Sequence, residues 1–142
     1  MKSDIENNYI VAKLADGEDL FGEIGKIAVK YGIKSGIIVC GIGMLRDFEI
    51  GFFNGSEYKK EHVTEPHELI ALHGSIAFDK KKLVTHLHCG VARCDHSLIG
   101  GHLFSATVAV LNELTILKLE EIKMSRKMSR KSGLLELEID SD

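Results

Sequence analysis

The chain has 142 residues, a formal net charge of −3, 44% hydrophobic residues and one proline, Pro66. That length suits one domain, over 1–142, with a core of its own, and the single proline leaves no room for long linkers. The acidic balance argues against a protein whose main work is gripping nucleic-acid phosphates, no apolar run reaches the roughly 18–20 residues that cross a bilayer, and the polar opening "MKSDIENN" is unlike a signal peptide, so a soluble cytoplasmic protein is expected.

The first strand is predicted over 9–14, turning at Asp16-Gly17. A helix follows over about 18–31, where Leu20, Ile24, Ile27, Ala28 and Tyr31 make one apolar stripe at the helical period. Glu18 and Asp19 in the first turn and Lys30 in the last agree with the helix dipole, and Gly32 supplies the left-handed position that ends it. The rest reads as strands. "SGIIVCGIG" (35–43) is apolar throughout and suits a buried strand, "RDFEIGFF" (46–53) alternates, and 57–64 looks like an exposed edge. A strand over 69–78 precedes a loop "DKKK", and further strands are expected over 113–122 and 134–140. Between the last two lies "KMSRKMSRK" (123–131), read as a solvated basic loop. One helix against many largely antiparallel strands is an α+β domain, with no glycine-rich phosphate loop after any strand.

The segment "VTHLHCGVARCDHSLIGGHLFSATVAVL" (84–111) carries four of the seven histidines. Alternate residues of a strand share a face, so His86 and His88 project together, about 6.5–7 Å apart along the strand, with Leu87 and Cys89 on the other side. Setting His88 opposite His102 in an antiparallel pair centres the turn on Asp95, inside the turn-like "RCDHS". That register brings His102 onto the face of His86 and His88, and Gly100 and Gly101 allow a bulge or close backbone approach there. Three neutral imidazoles on one face suit zinc or another divalent metal, one per chain, with a fourth position left for water or a small-molecule ligand. A mixed histidine–cysteine site is disfavoured because Cys89 faces away and Cys94 lies in the turn. The three cysteines, Cys40 included, are read as reduced thiols. His96 belongs to the turn, His62 and His67 read as solvated, and His73 is a candidate neighbour of the site.

The sequence resembles the plant-and-prokaryote conserved (PPC) domain family. "GEDLFGEIGKIAVKYGIKSGIIVCGIGMLRDFEIGFF" is similar to that family's helix and the strand pattern after it, "EPHELIALHGSI" to the segment ending in its glycine (here Gly74), and "SGLLELEI" to its terminal strand. "HLHCGVARCDHSLIGGHL" resembles its signature, H-x-H followed by G-G-H-L. The resemblance implies an α+β fold assembled as a homotrimer, with His86, His88 and His102 forming a metal unit. The fold is also similar to that of acetolactate decarboxylase, which has a three-histidine zinc site. No Arg-Gly-Arg-Pro hook is present, so the DNA association of the plant members does not carry over, and His73 stands where a small residue is expected.

Two functions follow. The first is a metal-binding, homo-oligomeric domain acting in regulation or protein interaction. The second is a small metal-dependent lyase or hydrolase, in which the ion would activate water or polarise a carbonyl. For the second, Arg46 is a candidate holder of an anionic substrate group and Glu68 a candidate acid/base, against the plainer readings of a surface ion pair and a turn carboxylate.

Overall fold

The computed structural model describes residues 1–80 and 82–140; Lys81, in the loop expected at 79–82, lies outside the described residues. The elements in chain order are β1 (Lys2–Glu6), β2 (Tyr9–Ala15), α1 (Leu20–Lys30), β3 (Ser35–Phe53), β4 (Tyr58–Val63), β5 (His67–Asp79), β6 (Lys82–Ala92), β7 (Leu98–Leu119), β8 (Lys123–Met128) and β9 (Leu135–Asp140). The fold is α+β, with one helix among the described residues against an almost entirely antiparallel sheet.

The helix lies where its apolar stripe put it. Asp19 is the N-cap, its carboxylate accepting from the Gly22 amide at 2.6 Å. Glu18 stays outside the helix and takes the N-terminal ammonium instead. At the other end Gly32 has φ +61°, its amide meets the Val29 carbonyl and that of Ile33 meets Ala28, the paired bonds of a Schellman ending. Leu20, Ile24, Ile27 and Ala28 are buried in one core with Ile10, Leu14, Leu87, Val91, Leu103 and Ile116.

The sheet runs in the order β1-β2-β7-β3-β5-β8-β9, with β4 added to β3. Strand β6 pairs with both β5 and β7, and β3 also pairs with both, so these four strands close a circuit of backbone pairing. Within that circuit Leu87, Cys89 and Val91 of β6 are buried, while His88 between them is exposed.

Four expectations need correction. The strands expected at 35–43 and 46–53 are one strand of 19 residues, because the break in alternation is a series of bulges and not a turn. The strand expected at 113–122 is the far half of β7, continuous with the histidine strand. The polar N-terminus forms β1, folded back on β2 through Asn7 at φ +52°. The basic segment is not a loop: 123–128 is β8, paired antiparallel with β9 and touching β5 at Phe78↔Ser125. Met124 and Arg126 alternate inward along β8, and the charge on Arg126 hides that pattern in the sequence.

Candidate metal centre

Strand β6 supplies His86 and His88, and β7 supplies His102. The register places His88 opposite His102, Leu87 opposite Leu103 and Ala92 opposite Leu98, as a turn centred on Asp95 requires. The turn is built by its own side chain: Asp95 accepts from the Ser97 amide at 2.9 Å and the Ser97 hydroxyl at 2.6 Å, and His96 takes φ +67°. On its other side β7 lies against β3, with His102 opposite Gly51. Two glycines make this packing possible. A Cβ on Gly100 would stand 2.3 Å from the Cys89 carbonyl oxygen, and one on Gly74 would stand 2.0 Å from that of His86.

The three histidines converge. One ring nitrogen from each lies within 4.8 Å of the others, and the ring centroids are 4.9 to 5.3 Å apart. A tetrahedral ion with nitrogen ligands at about 2.1 Å wants those nitrogens about 3.4 Å apart, so small ring rotations would close the set. Tyr58 and Phe104 flank His102, with centroids at 5.1 and 4.4 Å. His88 is exposed, and His86 and His102 are half-buried.

Burial keeps the rings of His86 and His102 in the ligating form. Burial, with the other two histidines, Lys60 and Arg126 adding to it, pulls His102 down to about 4. His86 is lowered by the same desolvation and by Arg126 and His88. Both are therefore neutral at pH 7, as a metal ligand must be. Nδ1 of His102 is buried without a hydrogen-bond partner, an orphaned polar atom of the kind an ion would satisfy. The donor set and this orphaned atom fit a divalent metal.

Other residues fall in different places. Cys89 points into the core, where burial pushes its thiol up to about 11, and Cys94 and Cys40 are exposed away from the histidines. His73 lies directly opposite His88 in β5, on the same face, but is exposed and outside the three-nitrogen group. Arg46 is bound to Asp16 at 2.5 Å, and Asp16 also holds the Val110 amide, so this pair ties the β2–α1 turn to β7. Glu68 is exposed, opposite Ala92 and Met44. Neither lines the cavity beside the histidines. His67, expected in solvent, is buried: its Nδ1 meets the Glu65 carbonyl at 2.9 Å and its ring stands edge-on to Phe48.

The residue that sequence reasoning missed is Arg126. It is buried, donates to the Ser75 hydroxyl at 2.7 Å and lies 3.3 Å from Nδ1 of His86. Only the alternation of β8, Met124 then Arg126, could have pointed to it.

The model of the Plants and Prokaryotes Conserved (PCC) domain matches residues 1–120. The chain belongs to that family. The PCC fold is seen in a plant- and prokaryote-conserved protein of Pyrococcus horikoshii, 27% identical, with a TM-score of 0.83 over 94% of this chain and 93% of that one. It recurs in a metal-containing protein of Archaeoglobus fulgidus, 29% identical, with a TM-score of 0.83 over 94% of both chains. A Bacteroides thetaiotaomicron protein proposed to bind DNA is 26% identical, with a TM-score of 0.89 over 96% of both chains. A bifunctional protein GlmU from a Synechococcus species is 27% identical over 129 residues, but this PCC chain spans only 20% of its length. No helix among the described residues is long and apolar enough to cross a membrane.

Proposed function

We propose that this PCC chain is a single domain that binds one divalent metal ion, zinc by its all-imidazole donor set, through His86, His88 and His102, and that it works as a homo-oligomer. The observation that carries this reading is the meeting of one ring nitrogen from each of three histidines within 4.8 Å, and Nδ1 of His102 is buried and unpartnered. The metal-containing relative from Archaeoglobus fulgidus supports it. Three protein ligands leave an open position, the arrangement of a site that meets a ligand and not of a closed structural one. Elemental analysis of protein purified without a histidine tag tests it: about one equivalent per chain is expected, and metal-free protein would refute it.

The homotrimer implied by the family resemblance is supported by apolar side chains left exposed on the strands. Val39, Ile42, Ile70 and Val110 are between 39% and 64% exposed, apolar surface that an interface between copies would cover.

A cavity of about 300 Å³ beside His86 and His102 favours a second reading, a metal-dependent enzyme acting on a small molecule. Turnover that disappears with His88→Ala would establish it.

The net charge of −3 opposes DNA binding of the kind proposed for the Bacteroides thetaiotaomicron relative. Arg126 of the basic segment is turned inward, and Lys123, Lys127, Arg130 and Lys131 remain as a short patch. Binding through such a patch is weak, indifferent to sequence and lost as salt rises.

A further inference from the structure

Arg126 is a buried cation with no anion beside it among the described residues. Its side chain belongs to a residue only 8% exposed, and its Nε has no partner. Its contacts are to neutral groups: the Ser75 hydroxyl, the Leu135 carbonyl at 3.3 Å and Nδ1 of His86. Among the described residues no carboxylate forms an ion pair with it. A guanidinium cannot escape the cost of burial by losing its proton, so an unpaired one in a buried place favours an anionic partner.

The surroundings do not relieve this charge. Arg126 opens, with Tyr58, Thr85, His86, His102 and Leu135, onto the cavity of about 300 Å³, and no acidic side chain among the described residues lines it. The charged groups acting on His102 from outside the histidine cluster, Lys60 and Arg126, are both cationic. Lys60 is already held by Glu49 at 2.8 Å, its ammonium 3.9 Å from the centre of the Phe104 ring. A divalent ion on the histidines would add further positive charge, with a guanidinium already 3.3 Å from one of the ligand rings. What the site lacks is negative charge, in a space open to both the histidines and Arg126.

We propose that this cavity binds a small carboxylate, its carboxyl group on Arg126 and a neighbouring hydroxyl or carbonyl oxygen turned to the metal-binding histidines. Arginine's planar fork matches a carboxylate, whose single negative charge balances the one guanidinium. The volume suits a small molecule, and Leu135 and Tyr58 offer apolar wall to a short carbon chain. Arg126 lies beyond the residues matched by the family model, on a strand that forms one side of the cavity. The inference rests on the metal reading for one of its two contacts; the Arg126 contact stands on its own.

The test loads tag-free protein with cobalt(II), whose visible spectrum reports its ligands, and titrates it with L-lactate, lactamide and inorganic phosphate. Lactate is expected to shift the spectrum saturably, and lactamide, equal in shape but uncharged, to bind about tenfold to a hundredfold more weakly, the share of a charge-assisted pair. Arg126→Gln is expected to keep its cobalt while losing affinity for lactate by a similar factor. Equal binding of lactate and lactamide to the wild type, which needs no variant to fold, would overturn the proposal. Tighter binding of phosphate, or full lactate affinity in a cobalt-loaded Arg126→Gln, would do the same. Failure to take up cobalt refutes the metal reading separately; calorimetry on the metal-free protein then decides the Arg126 contact, with lactate heat sustaining it and none overturning it.

Discussion

His88 on β6 lies directly opposite His102 on β7, and the same lateral row continues to His73 on β5 and Gly51 on β3. The row crosses all four strands of the closed circuit, so backbone pairing, and not packing of the rings, sets where the imidazoles stand. His88 is exposed while its neighbours Leu87 and Cys89 are buried. The metal face is thus separable from the core that holds the domain together.

That separation predicts the behaviour of His88→Ala. The substitution removes an exposed ring and leaves no cavity, so it should cost the metal-free protein less than about 1 kcal/mol. The variant is expected to lose its metal and keep its β-rich circular dichroism and oligomeric state, with a modest fall in melting temperature. An insoluble or unfolded His88→Ala would mean that the ion is a staple for the fold.

Gly100 tests the backbone side of the site. A Cβ there would stand 2.3 Å from the Cys89 carbonyl oxygen, so Gly100→Ala must push β7 away from β6. We expect a loss of about 2 kcal/mol or more in chemical denaturation, with weakened metal binding although no ligand is changed. An alanine variant with wild-type stability and metal content would show that the strands can part at no cost.

The low pKa of His102 gives a pH dependence to the protein stripped of metal by a chelator. The unfolded chain protonates this histidine below pH about 6.5, whereas the folded one holds it neutral down to about pH 4. Between those values the unfolded state binds more protons, so stability falls as the pH falls through that window and the penalty is constant below it. Denaturation curves across the window should show a steeper loss for the wild type than for His102→Gln. Parallel curves would contradict the buried, neutral state of that ring.

Much of the site was legible because its cause is local. Strand parity places His86 and His88 together, and "RCDHS" marks the turn that fixes their partner, so the ligands and the glycines beneath them follow from a short stretch. The helix was legible for the same reason, with its stripe and Gly32 ending close in sequence, although Asp19, read as part of the first turn, is its N-cap. The long strands β3 and β7 were not, because their bulges break the alternation much as a turn would. Val110 at φ +62° and Asp47 at φ +46° are backbone states that the residue types do not announce. Arg126 was hidden by its charge: in the sequence it is one of a basic run, and only the pairing of β8 with β9 and its contact with β5 turn it toward His86. His67 was misread because the Glu65 carbonyl and Phe48, which shelter it, become its neighbours through the backbone of the chain turning at Pro66 and through strand pairing.

The exposed apolar residues make the oligomer testable by a single charge. Ile42 and Ile70, 45% and 53% exposed, should stop assembly when either becomes Glu, because an unpaired charge at an interface costs more than a solvated one. Light scattering is expected to give a trimer mass for the wild type and a smaller one for Ile42→Glu or Ile70→Glu. A wild type that runs as a monomer at micromolar concentration would refute the homo-oligomer.

The claim on which the rest depends is that His86, His88 and His102 hold an ion together, and anomalous diffraction at the zinc absorption edge tests it most directly. Crystals of tag-free protein should give one peak per chain, about 2.1 Å from a ring nitrogen of each of the three histidines. An anomalous map with no peak there, and three imidazoles hydrogen-bonded instead to protein groups or water, would contradict it.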